Sequence, residues 1–407
     1  MNFYNLKHKE EQLNFKEATI KGQGKDKGLF FPEDISKFSN QFLQNLPNLS
    51  NEEIAFQVMK DFAGDEIPEA ELRKIVAETI AFEIPLKKVT ENISVLELFH
   101  GPTLAFKDVG ARFMSRCLGY FLKNETRKVT VLVATSGDTG GAVANGFYDV
   151  EGIEVVILYP KNRVSPVQEK QLTALGKNIH ALEVNGSFDD CQALVKQAFS
   201  DESLNEKLLL TSANSINVAR WLPQQIYYVL ALKQWLKNNS ENPVICVPSG
   251  NFGNICAGIL AHHRGLPVEH FIAACNVNDV VPEYLRTEIL QPKETVATIS
   301  NAMDVGDPSN FVRILELFDK EFNQVKNKLS GYTIDDEETL KTIERVEKDY
   351  GYVLDPHGAV AFVALEKYLT ENDGKGFFLE TAHPVKFPDS VEQATGKSVE
   401  IPKSLEE

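Results

Sequence analysis

Hydrophobic positions along the chain fall into two regimes. Up to about Glu91 they recur mostly at helical spacing. IAFQVMKDF (54–62) follows Ser50 and Glu53, which sit as the two partners of a capping box, and PEAELRKIVAETI (68–80) repeats the spacing. One irregular loop, GQGKDKGLFFPED (22–34), interrupts this helical stretch. From about Lys128 short apolar runs alternate with amphipathic ones. VTVLVA (129–134) leads into SGDTGGAVANGFYDV, and IEVVILYP (153–160) leads into SPVQEKQLTALG, where Ser165 and Pro166 suit the N-cap and the first helical position. IHALEVNG precedes a run with Ser187 and Asp190 in capping-box positions. LLLTSAN precedes NVARWLPQQIYYVLALKQWL, VICVPSGNFG precedes NICAGILAHHRG, and HFIAACN precedes VVPEYLR. Two further helical runs, 336–351 and 357–369, come before a last strand, GFFLE. Buried strands that are each followed by a helix predict an α/β chain with parallel sheets covered on both faces. Ligands of such sheets collect at the carboxyl ends of the strands, and the unusual sequences of this chain fall there.

A length of 407 residues is too great for one ordinary core, and the length prior is about two to three domains. No apolar run approaches the roughly 20 residues that span a bilayer. The start, MNFYNLKHKEEQLNF, mixes charges from the outset and has no apolar leader core, so a cytoplasmic location is expected. The five cysteines (Cys117, Cys191, Cys246, Cys256, Cys275) are scattered without CxxC spacing, which fits a reduced compartment better than disulfides or a zinc site, so no metal is expected. The formal net charge of −16 disfavours nucleic acid and anionic membrane as partners, because no basic field is present to displace counterions. A phosphate ligand would therefore need local devices: helix N-termini, backbone amides and a few placed cations.

Three stretches carry such devices. In VICVPSGNFGNICAG a buried strand ends at Pro248, and residues 249–254 turn into an apolar helix. Glycine and asparagine tolerate positive φ, so successive N–H groups can converge on an anion at the helix start. The turn has neither Walker nor GxGxxG spacing, and a plain strand-to-helix turn is an even alternative for this loop taken alone. VLVATSGDTGGAV repeats the strand, small polar loop, helix arrangement, with Ser136, Gly137, Asp138, Thr139 and Gly140 in the loop. In LELFHGPTLAFKDVGARFM, Lys107 stands in a tract of mostly apolar and small residues. A lone lysine is ordinarily a solvated surface residue, but lysine is the side chain able to form a Schiff base with an aldehyde, and partial burial lowers its pKa toward a useful range.

HGPTLAFKD, ATSGDTGGA, TSANSINVARWLPQ, VPSGNFGN and TAHPVKF, in this order, resemble the successive signatures of the threonine synthase family, in the branch found in many bacteria and yeast. The resemblance covers nearly the whole chain. GNFGN-like loops occur across the type-II pyridoxal-phosphate (PLP) fold, whereas HGPTLAFKD together with TSANSIN is specific to threonine synthases. The resemblance implies the type-II, tryptophan synthase β-like fold, with PLP as cofactor and O-phosphohomoserine as small-molecule substrate. Lys107 matches the lysine that bonds the cofactor. Gly250, Asn251, Phe252, Gly253 and Asn254 match the loop that holds its phosphate, and Thr381 matches the hydroxyl residue facing its pyridine nitrogen. Ser136, Gly137 and Thr139 match the loop that receives substrate, while Asn214, Ser215 and Arg220 match residues that bind the substrate's own phosphate. Asp138 stands where many type-II relatives carry Asn beside the phenolic oxygen. If residues 217–232 are helical, Arg220 lies in the first turn, where an anion is favoured.

The expected organisation is a mainly helical N-terminal domain (1–95), a large PLP-binding α/β domain (96–126 and 216–407) and a small α/β domain (127–215), acting as monomer or homodimer. Another type-II PLP reaction, such as threonine or serine deamination, or a non-catalytic binding protein on the same scaffold, are the alternatives. His383, two residues past Thr381, either approaches the site or makes a structural hydrogen bond.

Overall fold

The computed structural model describes residues 1–123, 128–135 and 137–402. Five strands of a six-stranded sheet are parallel, in the spatial order Leu329–Thr333, His270–Cys275, Val244–Pro248, Gly376–Glu380 and Ile93–Glu97, and Leu86–Lys88 adds an antiparallel edge. A smaller sheet is wholly parallel, in the order Ile179–Val184, Ile153–Pro160, Val129–Ala134 and Leu209–Ser212. Every residue of Val129–Ala134, Val244–Pro248 and Gly376–Glu380 is buried. Their runs are mostly apolar, Thr130 and Glu380 excepted, because helices cover both faces, as the strand–helix alternation predicts.

The N-terminal stretch departs from its helical reading. Gln12–Asn14, Asn2–Asn5 and Phe30–Pro32 form a three-stranded antiparallel sheet, beside the helices Phe15–Lys21, Asn40–Asn45, Asn51–Ala63 and Glu69–Thr79. Strands of three or four residues are too short to show a two-residue alternation, and the loop over 22–34 supplies the third. Ser165 with Gln168 and Ser187 with Asp190 form full capping boxes. Ser50 caps its helix by accepting from the Glu53 amide, but the Glu53 carboxylate turns to Arg73 of the next helix at 2.7 Å instead of completing the box. The run over 217–236 is broken: Val218–Trp221 is a single turn, Leu222–Gln224 a 3-10 turn, and Gln225–Trp235 the long helix. Pro223 has no N–H to continue the ladder.

This topology gathers several helix starts at the carboxyl ends of the strands. Lys107 opens the helix Lys107–Leu122, Asp138 opens Asp138–Phe147, and the turn after Pro248 opens Gly253–His263. All five cysteines are buried and free. Among the described residues no helix is long and apolar enough to cross a membrane.

Candidate active site

Lys107 is tied to Thr381 through the backbone. The Phe106 amide donates to the Thr381 carbonyl at 2.9 Å, and Ala105 and Ala382 form an isolated antiparallel bridge. Thr381 itself is buried at the end of Gly376–Glu380. Among the described residues Lys107 Nζ has no hydrogen bond or ion pair. Burial pushes its pKa down to about 8, helped by the positive charges of Lys386 and Arg220 and opposed by Asp138. The neighbouring Asp108 points away into a lock of its own. Its carboxylate accepts from the Thr103 amide at 2.9 Å and the Thr103 hydroxyl at 2.5 Å, and burial raises it to about 6.

Asp138 is buried and accepts on Oδ1 from Lys386 Nζ at 2.7 Å and Gln168 Nε2 at 2.9 Å. Burial alone would raise this carboxyl; the charges of Lys386 and Lys107 outweigh it and hold the group well below the usual carboxylate range. Gly137 has φ +139°, and a Cβ there would stand 2.5 Å from the Gln168 amide, so the loop requires glycine. The Thr135 hydroxyl accepts from the Gly137 and Gly140 amides, which shapes the turn. Thr139 is half-buried on the first turn of the helix, and Ser136 lies outside the described residues.

The turn after Pro248 is rigidly backed. Phe252 sits in the left-handed region at φ +62°, and Gly250 lies so close to Met303 that a Cβ would stand 2.7 Å from its Cα. Asn251 is held at both ends of its amide, by the Ser215 hydroxyl at 2.8 Å and the Ser309 N–H at 2.7 Å. The approach of Gly253 to Ser215 leaves room only for glycine's hydrogen or a small adjustment, with a Cβ 3.2 Å from the serine Cβ. Tyr227 and Tyr228 donate their hydroxyls to Asn254 Oδ1 at 2.7 and 2.6 Å, which leaves Asn254 Nδ2 a buried donor without an acceptor. Among the described residues no hydrogen bond uses the amides of 250–254 either. Unused donors at a helix start are what an anionic group requires.

Arg220 supplies a second unmatched cation. It is 4% exposed, pairs with no carboxylate among the described residues, and donates through Nη1 to the Ala213 carbonyl while Nε is buried without an acceptor. Burial takes its pKa down to about 10, against the pull of Asp108. Gly110, on the helix that Lys107 opens, lets that helix close on Arg220: a Cβ would meet the arginine's carbonyl at 2.6 Å and Nε at 3.0 Å. Lys107 and Arg220 thus stand on touching helices, and Ser215, five residues before Arg220, bonds the 250–254 turn. Asn214 is half-buried at the start of the same segment, where its carbonyl accepts from the Asn217 amide.

Sequence reasoning passed over several supports. Arg313, wholly buried, grips the Ser215 and Ile216 carbonyls and Asn310 Oδ1, and so holds the 215–216 backbone in place. Gln168 and Thr103 hold the two aspartates, and the tyrosine pair holds Asn254. Lys386 lay in plain view in TAHPVKF, a lysine in an apolar tract like Lys107. His383 takes the structural option: its Nδ1 accepts from the Val385 amide, its ring packs on Phe99, and burial pushes its pKa down to about 4.

The residues present fit a phosphorylated aldehyde cofactor. Lys107, without an ion pair among the described residues, opens the helix that packs on Arg220, and Ser215 of the same segment bonds the turn whose amides and Asn254 Nδ2 are unused; Arg220 remains for a second anion.

Comparison with known proteins agrees. The sequence profile described as "Pyridoxal-phosphate dependent enzyme" matches residues 80–376, "Threonine synthase N terminus" matches 2–80 and "Threonine synthase, C-terminal" matches 358–407. The threonine synthase of Haemophilus influenzae is 47% identical over all of this chain and 94% of its own. The crystal structure of the Escherichia coli threonine synthase superposes with TM-score 0.93 at 47% identity, covering 100% of this chain and 94% of that one. The PLP-bound threonine synthase of Brucella melitensis gives TM-score 0.93 at 35% identity, covering 100% and 93%. With the profiles spanning the chain and close relatives matching it end to end, the chain belongs to the threonine synthase family of PLP-dependent enzymes.

Proposed function

We propose that this chain converts O-phosphohomoserine and water to threonine and phosphate, with the cofactor bonded to Lys107. The amides and Asn254 Nδ2 of the 250–254 turn would take the cofactor phosphate, Thr381 would face the pyridine nitrogen, and Asp138 would lie beside the phenolic oxygen. When bound, PLP supplies an electron sink for charge that develops beside the substrate's amino group. Thr381, a neutral partner, would leave the ring nitrogen largely unprotonated.

With the cofactor bound, Lys107 would be the base that takes the Cα proton, and a pKa of about 8 in the cofactor-free chain leaves a usable share of free amine near neutrality. Loss of a Cβ proton then expels phosphate from Cγ; a proton returned to Cγ and water added at Cβ complete threonine. Arg220, with Asn214 and Ser215, would hold the departing phosphate and stabilise the charge that builds on it. Ser136, Gly137 and Thr139 would receive the substrate and orient it.

The observation that carries this reading is Arg220: a buried guanidinium with an unused Nε and no carboxylate partner among the described residues calls for an anion, and the 250–254 turn would take the cofactor's. The test compares phosphate release from O-phosphohomoserine with keto-acid formation from threonine or serine. Phosphate release should dominate and vanish in Lys107→Ala. Faster keto-acid formation would assign the chain to a deaminating reaction instead.

A further inference from the structure

We propose that Lys386 is a positioning lysine: by occupying Asp138 it prevents that carboxylate from capturing Lys107, and so keeps the cofactor-bearing amine available. The inference rests on Lys107 being that amine, as read above.

Lys386 is wholly buried on the short turn Pro384–Lys386, and its Nζ has two described partners, Asp138 Oδ1 at 2.7 Å and the Thr103 carbonyl at 2.8 Å. The carbonyl aims the ammonium, and the carboxylate neutralises it. Gln168 Nε2 donates to the same carboxylate oxygen, so two donors already share it. Lys107 lies close enough to feel the charge of both Asp138 and Lys386, yet makes no ion pair among the described residues. A buried carboxylate beside a lone lysine would bind it as an ammonium, which cannot act as a nucleophile or base. Here two lysines face one carboxylate, and the direct contact belongs to the one that does no chemistry.

The other charges around Lys107 do not replace this arrangement. Arg220, from Val218–Trp221, is positive and has no carboxylate partner among the described residues. On the helix of Lys107 itself, Asp108 is engaged by Thr103, and Arg112 by the Glu78 carbonyl. Asp138 is thus the carboxylate left to compete for Lys107, and Lys386 decides the competition. The same ion pair joins an element of the small sheet to the C-terminal segment beside the large one, so a purely structural role must be told apart by the test.

The experiment uses the full-length, cofactor-free chain. Lys107 is acylated across a pH series with a water-soluble amine reagent, and modification is read peptide by peptide by mass spectrometry. Wild type, Lys386→Met, Asp138→Asn and the double variant are compared. The rate at which each regains the absorbance of bound cofactor after PLP is added, as a function of pH, is the second readout. In Lys386→Met the Lys107 midpoint should rise by one pH unit or more, about a tenfold loss of free amine at pH 7, and the reloading profile should move up with it. Adding Asp138→Asn should return the midpoint to the wild-type value or below, because the competing carboxylate is gone. Asp138→Asn alone should lower it. An unchanged midpoint in Lys386→Met overturns the proposal, as does a shift that Asp138→Asn fails to reverse, since that marks damage to packing. If Lys386→Met does not fold, Asp138→Asn decides alone, and an unchanged or raised midpoint there overturns it. Reloaded cofactor trapped on a lysine other than Lys107 would instead defeat the functional reading, whatever the midpoint.

Discussion

Replacing Arg220 by methionine separates the needs of the substrate site from those of the fold. The side chain is 4% exposed, and its guanidinium meets one carbonyl and no described carboxylate. Its pKa falls from the ordinary 12.5 to about 10 because burial disfavours the charge. At about 1.4 kcal/mol per pH unit, holding that charge costs the folded chain roughly 3 kcal/mol. The sign follows from the direction: a base weakened by folding is a full burden at any pH below about 10, and the burden fades only as pH climbs toward 12.5. Methionine fills similar space without charge but leaves the Ala213 carbonyl unpaired, a loss of about 1–3 kcal/mol. The cofactor-free variant should therefore match wild type or exceed it by up to about 2 kcal/mol, read as an unchanged or raised urea midpoint. Substrate turnover should move the other way. Losing one partner of a buried, charge-assisted pair with phosphate is worth about 2–5 kcal/mol, or roughly 30- to several-thousand-fold in kcat/KM for O-phosphohomoserine. The turn that would hold the cofactor phosphate is intact, so cofactor should still bind at saturation, with the pH profile of loading moved up because a positive charge that lowers the Lys107 pKa is gone. A variant that loses more than about 1 kcal/mol of stability while kcat/KM stays within about threefold would show that the arginine serves the fold, and the phosphate assignment would fall.

Gly250→Ala drives a Cβ to 2.7 Å from Met303 Cα and 3.0 Å from the Ala302 carbonyl, both backbone atoms that cannot swing aside. Overpacking of about 1–3 kcal/mol should displace the turn and weaken PLP binding about 10- to 100-fold by equilibrium titration, and unchanged affinity would mean the turn does not hold the phosphate. Lys107 has its pKa lowered to about 8, so its buried ammonium weakens the cofactor-free chain below that pH, and the penalty fades as pH rises from about 8 to the ordinary 10.5. Lys107→Met should accordingly have the higher urea midpoint at pH 7, with the gap closing by pH 10; a constant gap contradicts the lowered pKa.

The strand–helix alternation from residue 129 onward is legible because burial leaves a chemical mark, a short and mostly apolar, β-branched run, that local reading detects. Ser165 and Ser187 are legible for a similar reason, since a capping box is satisfied within four residues. Glu53 shows the limit: its carboxylate has a local partner in prospect, but Arg73, one helix away, takes it. The N-terminal strands escape because three residues carry no period, and their pairing joins residues 2–5 to 30–32. Among the candidate stretches, Lys107 in its apolar tract and the glycine-asparagine turn are unusual as sequences, but each taken alone leaves a structural reading open, and their roles come from the family resemblance.

What the sequence alone determined is therefore a set of local commitments: most of the strands and helices past residue 129, the caps that close within four residues, and which residue types could carry chemistry. The tertiary structure decided which of these meet. Pairing Gly376–Glu380 with Ile93–Glu97 brings residue 381 to residue 106, close packing at Gly110 brings Arg220 to the helix of Lys107, and Lys386 reaches Asp138 across some 250 positions of chain. Charge and hydrogen bonding act through distances of a few ångströms in space, and a linear chain does not encode those distances until its apolar surfaces have found one another.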